Sequence, residues 1–211
     1  MMWLNDFRFD GLRWDSVHST RTTDLEDNPD GWSLMQWINN EIDAIQPWGF
    51  SVAEDLRNNA FATKETGAGG AGFDSQWDSQ FVYPVRAAVE AANAGDRNMF
   101  DTRNAITHNC SADSFQRVIY SESHNEVANG RGRVPEEITP GDAGSWFAQK
   151  QSTLAATLVM TSPGVPMIFQ GQEVLEDEFF RDDDPVDWTR AEKFSGIHLM
   201  YRYDSPPAKL V

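Results

Sequence analysis

An α/β fold built on parallel strands is what this 211-residue sequence predicts. Short runs rich in β-branched and aromatic residues alternate with stretches of helical periodicity, the order expected of a parallel sheet or barrel. Apolar residues make up 40% of the chain and aromatics 12%, enough to bury a sizeable core, so disorder throughout is excluded. No internal repeat or low-complexity tract interrupts the alternation. The Gly-rich stretch 65–72 and the acidic stretch 181–187 are too short to be domain linkers.

In chain order, Phe9–Asp15 reads as a short strand and Ser33–Ile45 as an amphipathic helix, with Leu34, Ile38, Ile42 and Ile45 on one face. Trp48–Ala53 is a second strand and Gly72–Trp77 a short third. Phe81–Ala94 is a helix rich in Ala and Val, and Arg117–Ser121 a strand. Ser145–Met160 is a long helix that Pro163-Gly164 breaks. Val165–Gln170 is another apolar strand and Glu192–Tyr203 a last helical stretch.

With 33 acidic and 17 basic residues, the net charge of −16 argues against nucleic acid or an anionic membrane as partner. No run approaches the roughly 18 to 20 apolar residues of a membrane span. The first ten residues lack the basic-then-apolar order of a signal peptide. The expected location is the cytoplasm. A single cysteine, Cys110, allows no intrachain disulfide and reads as an ordinary small residue. His18, His108 and His198 show no ligand spacing, so neither a metal nor an organic cofactor is expected.

In α/β barrels, chemistry sits at the C-terminal ends of strands. Asp15 closes FDGLRWD, Glu54 closes WGFSVAE, and Glu122-Ser123-His124-Asn125 follow RVIYS. Two carboxylates on neighbouring strand ends suit glycoside cleavage. One attacks or stabilises the oxocarbenium-like centre and the other protonates the leaving oxygen, with about 5–5.5 Å between them for retention. Alone, Asp15 reads as a turn or cap residue, Glu54-Asp55 as a helix-start acidic pair, and His124 as structural. Most of the eight tryptophans read as core.

The blocks FDGLRWDSVHS, VAEDLRNN, GAGFDSQWD, VIYSESHNE and GVPMIFQGQE, in this order, resemble the later sequence blocks of the α-amylase family of glycoside hydrolases. The resemblance runs from about Phe9 to Tyr203 and is nearest to the 1,4-α-glucan branching members. It implies a partial TIM (β/α)8 barrel over 1–211, roughly strands four to eight with their helices, with earlier strands and flanking domains absent. It implies retaining double displacement on α-1,4-glucans such as glycogen, amylose or maltooligosaccharides, with transfer to form α-1,6 branches. Amylase-type or trehalose-releasing hydrolysis is one alternative. A non-catalytic glucan-binding remnant or a truncated product is the other, and the ending DSPPAKLV favours truncation.

By the same resemblance, Asp15 is the nucleophile, Arg13 the arginine that keeps it ionised, and Glu54 the general acid/base. His124 hydrogen-bonds sugar hydroxyls, and Gln170 and Glu173 line the cleft. Trp14 and Trp77 are candidate cleft aromatics. The family carries a third carboxylate directly after the histidine, where this chain has Asn125. Charged hydrogen bonds contribute about 1.5–3 kcal/mol and neutral ones about 1, a difference of about tenfold or more in rate. Glu122 and Glu126 read as solvated or supporting acids, and Asp182–Asp184 as a solvated face. Gly67–Gly72 reads as a tight turn beside the cleft. Open sheet edges at the strand ending in Asp15 and at VPMIFQ invite self-association.

Overall fold

The computed structural model describes residues 2–24, 26–108, 113–128 and 130–204. Cys110 and the closing segment 205–211 lie outside the described residues. The chain forms two compact units, one of residues 1–79 with 109–118, the other of 80–108 with 119–211.

The first unit carries helices α1 (Met2–Asn5), α2 (Val17–Arg21) and α3 (Pro29–Ile45). Its strands are β1 (Gly11–Trp14), β2 (Phe50–Ala53), β3 (Ser75–Trp77) and the start of β4 (Arg117–Ile119). These strands are parallel and lie side by side in chain order. Gly11 pairs with Phe50 and Trp14 with Ala53; Gln76 pairs with Arg117. At Gly11 the strands come so close that a Cβ would stand 1.9 Å from the Phe50 carbonyl oxygen, which restricts the position to glycine.

Helix α3 starts at Asn28, whose Oδ1 accepts from the Gly31 N–H at 3.2 Å, with Pro29 in the first turn. Its buried face is Gly31, Met35, Asn39 and Ile42. The apolar periodicity placed Leu34 and Ile45 inside, yet they are 44% and 39% exposed. Polar side chains cause the rotation. Asn39 Nδ2 donates to the Ala71 carbonyl at 2.8 Å, Gln36 Nε2 to Gly70 at 2.7 Å, and Trp32 Nε1 to Gly69 at 3.3 Å. Gripping the Gly-rich loop through its carbonyls satisfies a backbone that would otherwise go unpaired. The core beneath holds Val17, Met35, Ala53, Ala62, Ala71 and Phe73, with Trp14 and Trp32 packed against it.

The second unit contains α4 from Gln80 onward (the helix spans Ser79–Glu90), α5 (Met99–Thr107) and α6 (Val134–Ile138). It continues with α7 (Trp146–Thr161), β5 (Val165–Pro166), α8 (Arg190–Lys193) and α9 (Ser195–Asp204). The Met167 N–H donates to the Ile119 carbonyl at 2.9 Å, tying the chain after β5 to the end of β4. Only two residues of VPMIFQ form strand. Helix α5 is polar nearly all round, with only Thr102 and Ala105 buried, and so gave no periodic signal. The last helical stretch divides at Phe194, which has left helical backbone (ψ 43°) and packs in a core with Ala156, Leu175, Ile197 and Tyr201. A second core joins Phe81, Val85, Ala105, Ile119 and Val159. Among the described residues, no helix is long and apolar enough to cross a membrane.

On α4, Arg86 Nη2 stands 2.8 Å from Glu90 Oε1. Burial nevertheless pushes the Glu90 carboxyl up from the ordinary 4.5 to about 7; Arg86 opposes this, and Glu137 and Glu122 add to it. The native state therefore holds a proton that the unfolded chain releases, and stability falls as pH rises from about 4.5 through about 7. Glu90→Gln is expected to raise the melting temperature at pH 8 by more than it does at pH 5. Thermal denaturation at the two pH values measures the difference.

Candidate active site

The pairing of Trp14 with Ala53 makes Asp15 and Glu54 the next residues on adjacent parallel strands. The ladder runs on past both: Glu54 N donates to the Trp14 carbonyl at 3.0 Å, and Val17 N to the Glu54 carbonyl at 2.9 Å. A carboxylate oxygen of Asp15 lies within 4.8 Å of one of Glu54. Their environments differ: Glu54 is 6% exposed, whereas the Asp15 side chain is 74% exposed.

Arg13 joins them. Its Nη2 is 2.9 Å from Asp15 Oδ1 and 2.6 Å from Glu54 Oε2. The guanidinium lies 4.5 Å from the centre of the Trp77 ring, so it is held over an aromatic face while it bridges two acids. Ser16, next to Asp15, adopts left-handed backbone (φ 47°, ψ 48°), a conformation that costs a non-glycine residue about 1–3 kcal/mol. That turn aims the Ser16 N–H at Glu54 Oε2, 2.9 Å away. Oε2 thus accepts two donors, which leaves Oε1 as the oxygen able to carry a proton.

Deeper in the same unit, buried ion pairs fix the strand ends. Asp55 is fully buried and bound by Arg21 through Nε at 2.6 Å and Nη2 at 3.3 Å, while the Arg57 N–H donates to it at 3.0 Å. Asp78, after β3, pairs with Arg117 at 3.1 Å with both side chains wholly buried. It also accepts from Asn58 Nδ2 at 3.0 Å. The sequence reading missed these residues. The available signal was Arg117 heading the apolar run RVIY, since a charge in a buried strand requires a buried partner.

The aromatic candidates Trp14 and Trp77 sit against protein. Trp14 meets Phe73 edge-on at 5.8 Å. Trp77 is 4% exposed and presents its face to Arg13.

In the second unit, a tight turn follows β4. Ser123 Oγ accepts from the Asn125 N–H at 3.1 Å and donates to Glu126 Oε2, while the Glu126 and Val127 N–H groups donate to the Ser123 carbonyl at 3.1 Å. The turn leaves His124 and Asn125 half-buried. Glu126 is 2% exposed, and its Oε1 makes no hydrogen bond. Burial pushes its carboxyl up against the opposing pull of Ser123 and Arg86. This carboxyl therefore points inward and does not replace the charge missing at Asn125. Glu122 is 1% exposed, receives Arg133 Nη1 at 3.2 Å and caps α6 through the Val134 N–H at 2.7 Å. The expectation of solvated acids at Glu122 and Glu126 is thus corrected: the buried arginine and the helix start give Glu122 an interior role. Gln170 is exposed, and its carbonyl accepts from Arg133 at 2.8 Å. Glu173 is half-buried in the 172–174 turn.

Fold and site together define an α/β protein with paired, arginine-bridged carboxylates at the C-terminal ends of adjacent parallel strands. By sequence the chain is similar to 1,4-α-glucan branching enzymes over most of its length. It is 25% identical over 218 residues to that of Pseudoalteromonas atlantica, covering 96% of this chain and 29% of the relative. It is 26% identical over 231 residues to that of Aliivibrio fischeri, covering 99% of this chain and 31% of the relative. The chain therefore spans less than a third of these relatives' length. Its fold is shared with α-amylase-family enzymes. It matches a pullulanase from Anoxybacillus sp. complexed with maltotetraose at TM-score 0.66 and 17% identity, over 96% of this chain and 32% of that one. It matches an α-amylase from Geobacillus thermoleovorans complexed with acarbose at TM-score 0.63 and 16% identity, over 95% of this chain and 42% of that one. No family model matches the chain.

Proposed function

We propose that this chain carries the catalytic carboxylates of an α-1,4-glucan-active enzyme working by retaining double displacement, with branching as its reaction. On this reading residues 1–211 correspond to the later strands of a (β/α)8 barrel. The observation that supports it best is the Asp15–Glu54 pair bridged by Arg13. A closest approach within 4.8 Å fits the retaining spacing and falls short of the roughly 6.5–9.5 Å of inverting sites.

In the first step Asp15 attacks the anomeric carbon, and the proton on Glu54 passes to the departing 4-oxygen. The product is a glycosyl ester on Asp15. In the second step Glu54 takes the proton of an acceptor 6-hydroxyl as that oxygen displaces Asp15, giving an α-1,6 branch. Arg13 balances the negative charge of Asp15 while Glu54 is protonated. Trp77 acts as a positioning residue beneath that guanidinium. His124, Asn125, Gln170 and Glu173 contact the sugars. Similarity to branching enzymes favours a sugar over water as acceptor.

The test is amylose incubated with the protein, with iodine absorbance and reducing ends followed together. Branching lowers the stain with few new reducing ends. Loss of stain with matching reducing ends replaces branching by hydrolysis, and no change in either overturns the catalytic reading. Within this mechanism, Asn125→Asp restores a charged acceptor and is expected to raise kcat about tenfold or more. An unchanged kcat with a changed KM would place that contact in substrate binding alone.

A further inference from the structure

The first unit contains a cleft of about 410 Å³ whose lining includes Arg21, Asp27, Trp32, Ser33, Asn59 and Phe61. None of these residues belongs to the carboxylate pair or to the sugar contacts assigned above. We propose that this cleft is a second glucan-binding site that takes a stretch of the chain beyond the residues at Asp15 and Glu54. The proposal rests on the glucan reading for the identity of its ligand.

Three features carry it. The volume falls in the roughly 300–1,000 Å³ range of small-ligand sites. Its wall mixes two aromatic rings with hydroxyl, amide and carboxylate groups, the combination that an amphipathic sugar needs: apolar C–H faces against rings, hydroxyls against polar atoms. The wall is also preformed. Trp32 is fixed by its Nε1 bond to the Gly69 carbonyl at 3.3 Å, and Lys64 Nζ sits 4.5 Å from the Phe61 ring centre. Arg21 is held by its two bonds to the buried Asp55, the residue after Glu54. A preformed wall loses little conformational entropy on binding.

The test is titration of the full chain with maltoheptaose, read by ligand-observed NMR, in parallel with amylose turnover. Phe61 is 49% exposed and Ser33 is an exposed position on α3, so substitutions there spare the core. Phe61→Ala removes the ring, and Ser33→Arg fills the cleft. Each is expected to weaken maltoheptaose binding by about tenfold, equivalent to about 1.4 kcal/mol. Wild-type affinity in both variants, or no binding by the wild-type chain, overturns the second site. Failure of the catalytic reading shows separately, as absent amylose turnover whatever the titration gives.

Discussion

Glu54→Gln is expected to slow amylose turnover by about 10²–10⁴-fold while leaving cleavage of α-glucosyl fluoride nearly intact. The contrast follows from the leaving group. An alkoxide departs only when protonated, and Gln carries no transferable proton. Fluoride departs without one. The substitution is also structurally mild, because the Gln carbonyl can still accept from the Ser16 N–H and from Arg13, the two donors now on Glu54 Oε2. Asp15→Asn is expected to abolish both reactions, since either leaving group requires a nucleophile on the anomeric carbon. Steady-state rates on the two substrates decide the matter. Equal losses for Glu54→Gln on both would remove its assignment as the acid, and full amylose turnover would remove it from the chemistry.

The parts of this molecule legible in its sequence are those where local pattern and tertiary need agree. Asp15 and Glu54 close apolar runs, and the ladder places them at adjacent strand ends. The face of α3 was misread because hydropathy does not register an amide reaching a carbonyl. Asn39 turns inward for Ala71, while Leu34 and Ile45 turn out. VPMIFQ looked like a full strand because apolar loop residues that pack in a core resemble strand residues in composition. The bridge from Arg13 to Glu54 joins residues 41 positions apart, and spacing along the chain says nothing of it. The resemblance gave Arg13 to Asp15 alone; the geometry gives it to both carboxylates.

Asp78→Ala is expected to lower unfolding stability by about 3–5 kcal/mol, the cost of stranding one member of a buried ion pair. Arg117 and Asp78 are wholly buried, so Arg117 would keep its charge with the facing carboxylate gone and no water in its place. Against a total stability of about 5–15 kcal/mol, a loss of this size removes a third or more of what holds a domain together. Urea denaturation measures it, and a loss below about 1 kcal/mol would show that the pair does not anchor β4 to β3. The double variant Asp78→Leu with Arg117→Met separates stability from function. Replacing both charges by apolar side chains is expected to recover most of the loss, because buried pairs exceed apolar packing by little or nothing. Activity is not expected to return with it. Asp78 also accepts from Asn58, whose left-handed backbone (φ 51°) follows Glu54 by four residues and whose Oδ1 accepts from the Ser79 N–H at 3.3 Å. Leucine offers Asn58 no acceptor, so the loop after Glu54 loses its anchor in a chain that still folds. A stable but slow double variant is the signature of a buried charge kept to place a loop.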